Sequence, residues 1–118
     1  MKQSKVVMGT LALLLLASSA SARVGSVRHG RASYHEHSGR MVTAARGVRR
    51  GAKLWVWRTG KSPRTGFAVI VNDSGPYVRG RILDLSTGAF KRLYGGLKRG
   101  HGPVSYKVLK QGKGARCG

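Results

Sequence analysis

"VNDSGPYVRGRILDLS", residues 71–86, holds Asp73 and Asp84, two of the three acidic residues in the whole 118-residue chain. Its first part, Asn72-Asp73-Ser74-Gly75-Pro76, reads as a tight turn. Asp and Ser side chains bond backbone N–H groups nearby, Gly tolerates positive φ, and Pro fixes its own φ. Residues 66–72 before the turn form a continuous, β-branched apolar run. Residues 79–85 after it set Arg81, Leu83 and Leu85 against Ile82 and Asp84. Both runs read as strands, so the stretch is a strand–turn–strand unit with a carboxylate at its tip.

Three more runs flank this unit. Residues 41–45, 53–58 and 104–109 are short, apolar or alternating, and bounded by Gly or Pro. In residues 53–58 Leu54 and Val56 alternate with Trp55 and Trp57. Residues 59–66 read as a hairpin loop. One short helix is expected after Leu85, capped by Ser86, with Ala89, Phe90 and Leu93 inward and Gly95-Gly96 as its stop. There is no internal repeat. A chain this short does best to close its sheet edges, so the reading is a small, mainly β barrel with one or two short helices.

Residues 1–22 read as an export signal. Lys2 and Lys5 precede an apolar run over residues 6–17, and Ala20-Ser21-Ala22 fits a small-residue cleavage site. The run is shorter than the ~20 residues a membrane span needs. No Cys adjoins the cleavage point, so no lipid attachment is expected there. Residues 23–31 read as a flexible arm, 32–110 as the barrel domain and 111–118 as a basic flexible tail. The lone Cys117 excludes an internal disulfide.

Without the two signal lysines, 21 basic residues face three acidic ones, a net charge of +18. Such a surface attracts polyanions and releases them in salt. In the cytoplasm this would suggest nucleic acid. In an exported, periplasmic or extracellular chain it points instead to anionic cell-envelope polymers, and no nucleic-acid partner is expected. Solubility and surface association alone are the plainer reading.

Asp73 has two readings. A carboxyl beside an apolar strand can stay protonated and donate to a glycosidic oxygen. It can equally bond backbone N–H groups in its own turn. Asp84 can cap the helix, pair with an arginine, or face a cleft beside Asp73. An ordinary glycosidase places two carboxylates across the bond, so a chain with only Glu36, Asp73 and Asp84 suits a mechanism that needs one. His35 and His37 share a strand face and could hold a metal with a third ligand. No Cys or carboxylate pattern follows at zinc-like spacing, so no metal or other cofactor is expected. His29 and His101 read as exposed. Trp55 and Trp57 are either core or a stacking platform for sugars. Cys117 reads as an incidental thiol, or as a link between two chains.

Residues 71–86 closely resemble the signature of the rare lipoprotein A-like double-psi β-barrel family, V-N-D-R-G-P-[FY]-x-x-G-R-x-[IL]-D-[LV]-S. "ASY" at residues 32–34 resembles the family's A-S-[WY]-Y, and "MVTAAR" at residues 41–46 its A-L-T-A-A-H. "RGAKLWVWRTGKSPRTGFAVIVNDSGP" follows its strand–loop–strand–turn order, and "GPVSYKVL" at residues 102–109 resembles its last strand. The resemblance runs over residues 32–109. It implies a six-stranded double-psi β-barrel. It also implies a lytic transglycosylase of peptidoglycan, cleaving between N-acetylmuramic acid and N-acetylglucosamine without water. The family's catalytic Asp falls on Asp73.

The departures from the pattern are specific. Arg46 stands where the family has His, and Ser74 where it has Arg. The segment between residues 34 and 41 is short, and Glu36 is its only carboxylate. An arginine beside Asp73 would weaken it as a proton donor, or bind a peptidoglycan carboxylate bidentately. The expected site therefore joins catalytic Asp73 to Glu36, Arg46, Asn72, Tyr77, Arg81 and Asp84 as substrate-binding residues. The expected partners are peptidoglycan glycan strands and anionic polymers, met by a monomer. A barrel that binds wall glycan without cutting it, and a cationic effector using the barrel only as scaffold, are the alternatives.

Overall fold

The computed structural model describes residues 22–114. The expected signal lies outside that range apart from Ala22, and so does Cys117. The elements are β1 (Val27–Tyr34), β2 (Val42–Ala45), β3 (Lys53–Trp57), a 3-10 turn (Pro63–Thr65), β4 (Phe67–Asp73), β5 (Arg81–Leu85), α1 (Thr87–Tyr94) and β6 (Gly102–Lys110). The strands close into one barrel in the order β1-β5-β2-β4-β3-β6. β1 runs parallel to β5 and β2 parallel to β4, while every other pair is antiparallel. The closed six-stranded barrel is the one the family resemblance implies, and the α-helix follows Leu85 as expected, while the residue pattern itself marks five of the six strands.

Alternation along the strands builds the core. Leu54 and Val56 of β3, Phe67, Val69 and Val71 of β4, Leu83 and Leu85 of β5, and Val104, Tyr106 and Val108 of β6 all point inward and are buried. Each large apolar side chain enclosed this way contributes about 1.5–3 kcal/mol. Closure gives every strand a partner on both sides among the described residues.

The helix forms where its caps predict. Ser86 Oγ accepts from Ala89 N at 3.2 Å, and Gly95 ends the helix in the left-handed region at φ +85°. Phe90 is buried between Tyr34 and Tyr94, with ring centroids 4.9 and 4.5 Å away. The first turn of α1 also clamps the loop after β1. Thr87 N donates to Glu36 O at 2.7 Å and Gly88 N to Ser38 O at 2.8 Å. That approach needs glycine, because a Cβ on Gly88 would lie 2.8 Å from Gly39 Cα.

Two expectations about the chain's ends change, and of the two tryptophans one is core as expected. The arm assigned to residues 23–31 is not loose: β1 begins at Val27, and residues 27–32 pair with β6. The cause is closure, since without β1 one side of β6 would be unpaired. Most of this strand's side chains are outward and polar, so it shows none of the apolar alternation that marks the others. The tail is also tied down as far as residue 114. Gln111 Nε2 donates to Ala22 O at 2.7 Å and Gly114 N to Arg50 O at 3.0 Å. Trp57 is buried, whereas Trp55 is half-buried and its Nε1 donates to Pro63 O at 2.8 Å. Trp55 thus fastens the 59–66 loop.

Candidate functional site

The site lies where the chain leaves β2 and β4 and enters β5. β2 and β4 are parallel, so Arg46 and Ser74, the residues after their last positions, emerge at the same end of the barrel. β5 is antiparallel to β2 and starts there at Arg81. Between Thr43 and Ala44 the register shifts: Thr43 pairs with Val71 but Ala44 with Asp73. Asn72 is therefore an extra residue on β4. Such a bulge breaks the alternation and re-aims side chains at the strand's end.

Asp73 is open to solvent, with 62% of its side chain exposed. Its Oδ1 accepts from Ser74 N at 2.8 Å and lies 3.7 Å from Arg50 Nη2. The turn bond and the exposed position both hold. The apolar wall does not: the near neighbour is the Arg50 guanidinium. This pair is exposed on both sides and worth at most about 1 kcal/mol.

Next to Asp73 the bulge brings Asn72 to Glu36. Asn72 Nδ2 donates to Glu36 Oε1 at 3.1 Å. Glu36 Oε2 is enclosed and accepts no hydrogen bond among the described residues, with Arg40 Nη1 4.0 Å away. Since α1 holds the Glu36 backbone, the helix cap, the loop and the bulge together set the Glu36 carboxylate against Asn72, the residue before Asp73.

Arg46 lies over the Tyr77 ring, its guanidinium carbon 5.5 Å from the centroid, and Tyr77 is 66% exposed. A cation seated on an exposed ring holds the ring as a flat face at the rim. Arg81 joins Arg46, Arg28, Gly47 and Ile82 around a depression of about 290 Å³. Asp84 sits apart. It is half-buried, its Oδ1 accepts from Ser33 Oγ at 2.9 Å, and its carbonyl accepts from Thr43 Oγ1 at 3.2 Å. Ser86 takes the helix cap, and no arginine lies within ion-pairing reach of Asp84 among the described residues. Asp84 and Asp73 flank Ala44 in the register. Two strand spacings put their Cα atoms roughly 10 Å apart.

The structure thus brings Asn72 to Glu36 and Asp73 to Arg50, and gathers Arg46 with Tyr77 and Arg81, with Asp84 across Ala44 from Asp73 on the sheet. Sequence reasoning missed Arg50 and Arg28. Arg50 lies in a polar turn whose neighbour Gly51 bonds Val71 O, a contact with no local signal. Arg28 lay in the stretch read as a loose arm. His35 and His37 are exposed, and no group of three metal-ligating side chains lies together among the described residues. His29 and His101 are exposed as well, but each is bonded: His29 Nδ1 to Ser105 Oγ at 2.6 Å, and His101 Nδ1 to the Arg31 guanidinium at 2.8 Å.

A family model described as lytic transglycolase matches residues 28–106. Among curated proteins, the chain is 42% identical over 71 residues to a "probable endolytic peptidoglycan transglycosylase RlpA" of Nostoc sp. strain PCC 7120. That match covers 58% of this chain but only 18% of the relative, so the chain spans about a fifth of the relative's length. Among solved structures, the Streptomyces papain inhibitor aligns with TM-score 0.58 at 21% identity, over 76% of this chain and 100% of that one. The apo Clavibacter michiganensis expansin aligns with TM-score 0.58 at 24% identity, over 75% of this chain and 53% of that one. A mutant of that expansin in complex with cellohexaose aligns with the same TM-score at 23% identity, over 76% and 54% of the two chains. At these identities the structural likenesses speak for the fold alone. The family match over most of the barrel, with the closed six-stranded topology, places this chain in the lytic transglycolase family of double-psi β-barrels.

Proposed function

We propose that this barrel acts on peptidoglycan as an exported lytic transglycosylase, with Asp73 as its acid and then its base. The observation that carries the reading is the exposed Asp73 at the barrel mouth, beside the Asn72–Glu36 pair. In the proposed reaction the Asp73 carboxyl protonates the glycosidic oxygen, and the bond from that oxygen to C1 of the muramic residue breaks. The muramic acid's primary hydroxyl then bonds to C1 and returns its proton to Asp73. No water is consumed, and the product ends in a 1,6-anhydro ring. One carboxylate suffices, which fits a chain with so few.

The other residues have supporting roles. Asn72 and Glu36 orient the sugar next to Asp73. Tyr77, backed by Arg46, offers its face to a sugar ring. Arg81 and Arg46 bear positive charge toward the glycan's anionic groups. Asp84 fastens β5 to β1 through Ser33, and so holds the floor on which the mouth is built. The net positive charge draws the monomer onto an anionic envelope.

A second reading has its own support: Arg50 lies against Asp73, and Arg46, where the family pattern has His, is engaged with Tyr77. Under it the barrel binds glycan and does not cut it. Products decide between the two. Residues 23–118 incubated with peptidoglycan sacculi, with and without stem peptides, are expected to release muropeptides or glycans with anhydro-muramic ends, read by mass spectrometry. Reducing ends would make the enzyme a hydrolase. No release, with salt-resistant retention on sacculi, would make it a binding barrel.

A further inference from the structure

The depression is lined by three arginines, Arg28, Arg46 and Arg81, with Gly47 and Ile82, and by no acidic residue. The chain's carboxylates are engaged elsewhere. Glu36 is bonded to Asn72, Asp73 faces Arg50, and Asp84 accepts from Ser33. Like charges gathered around one hollow repel each other, and an anion entering it relieves that repulsion.

Two of the three arginines are held in place before any ligand arrives. Arg28 Nη1 donates to Arg46 O at 3.4 Å and to Tyr106 Oη at 3.3 Å. Arg46 rests on the Tyr77 ring. Arg81 is half-buried on β5. Arg31, its register partner on β1, turns its guanidinium to His101. Holding arginines in advance lowers the entropy cost of binding. A single guanidinium already satisfies a carboxylate through two parallel bonds. Three around one hollow fit a group with more oxygens and more charge. The hollow, about 290 Å³, is far larger than the roughly 30 Å³ a water takes in the liquid. It has room for a phosphate together with the group it esterifies.

We propose that this depression is a binding site for a phosphate ester, with Arg28, Arg46 and Arg81 as its ligands. It shares Arg46 and Arg81 with the groove proposed for glycan, but does not depend on cleavage there. Its readout is a small phosphate in the absence of glycan, so either reading can fail while the other stands.

The probe is glycerol 3-phosphate, titrated against the arginine Nε–H signals in nitrogen-15 NMR, with acetate at matched ionic strength as the carboxylate control. Saturable shifts are expected at Arg28, Arg46 and Arg81. Affinity is expected to fall at least about tenfold in R28Q/R46Q/R81Q, which loses three charged donors. It is expected to hold within about twofold in R58Q/K61Q/R92Q. That control takes the same three charges from a second basic depression, lined by Arg58, Lys61 and Arg92. The comparison separates a site from diffuse attraction. If the triple variant does not fold, as judged by its melting curve, Arg46→Gln alone carries the test, since Arg46 is exposed. Equal losses in the two triple variants, or acetate binding as tightly as the phosphate, would overturn the proposal. Poly(glycerol phosphate) and phosphatidylglycerol vesicles then separate a wall polymer from a lipid headgroup as the natural source. Rejection of both phosphate surfaces at low salt would also overturn it.

Discussion

Asn72→Ala removes the one donor that Glu36 Oε1 has from its neighbours, at 3.1 Å. Hydrogen bonds to a charged acceptor contribute about 1.5–3 kcal/mol when shielded from water. Here 39% of the Glu36 side chain is exposed, so water recovers part of the loss. The expected net cost is about 1 kcal/mol. Glu36 Oε2 already lacks a partner, so no second bond to protein compensates. The assay is a double-mutant cycle in urea: wild type, Asn72→Ala, Glu36→Ala and both together. The expected coupling is about 0.5–1.5 kcal/mol, the net contribution of a single hydrogen bond. The backbone clamp from Thr87 N to Glu36 O survives all four proteins, so the helix should stay formed throughout. Additive costs, with no coupling, would refute the claim that Asn72 positions Glu36.

Ser86→Ala removes the α1 cap and the bond from Ser86 Oγ to Arg40 O, and is expected to cost about 1–2 kcal/mol in thermal unfolding. Leu83→Ala opens a cavity in the barrel centre, where Leu83 is fully buried, and is expected to cost about 2–5 kcal/mol in a urea melt. The Tyr94 hydroxyl is pushed up to about 12 by burial, against the opposing pull of Arg99, Arg58 and Arg31. Because the folded value lies above the unfolded 10, this tyrosine's contribution is complete below pH 10 and lost as pH rises through about 12. After discounting for its exposure, the loss should be about 1–2 kcal/mol. Ultraviolet titration of wild type against Tyr94→Phe should show a late ionisation step, near pH 12, that the variant lacks.

Strands whose apolar residues alternate or run together were legible in the sequence. Leu54 and Val56, the residues 66–72 run, and Leu83 with Leu85 announce themselves by period and by flanking Gly and Pro. The caps of α1 were legible because Ser86 and Gly95 act on their nearest neighbours. β1 was not legible below Ala32. It exists to close the barrel, a demand set by β6 some 75 residues away in register (Val27 opposite Lys107, Ala32 opposite Gly102) and not by its own composition. The turn at Asp73 was legible through its Asn72-Asp73-Ser74-Gly75-Pro76 run. The partner of Asp73, Arg50, was not, because a polar turn packed along β4 leaves no periodic trace. The Glu36–Asn72 contact depends on a bulge between β2 and β4, and bulges are fixed by pairing between strands rather than by local residues. The link between Asp84 and Ser33 has the same origin, as the two face each other only once β1 lies beside β5.

In the proposed reaction Asp73 transfers the proton, and removing its carboxyl tests this. Asp73→Asn keeps the side chain's size and its acceptor oxygen for Ser74 N, so the turn should survive. Initial rates of anhydro-muramic end formation are compared with retention on the same sacculi. The expected rate loss is at least about 100-fold, the contribution of a positioned acid–base group, with retention unchanged. A variant that cuts at the wild-type rate would contradict it.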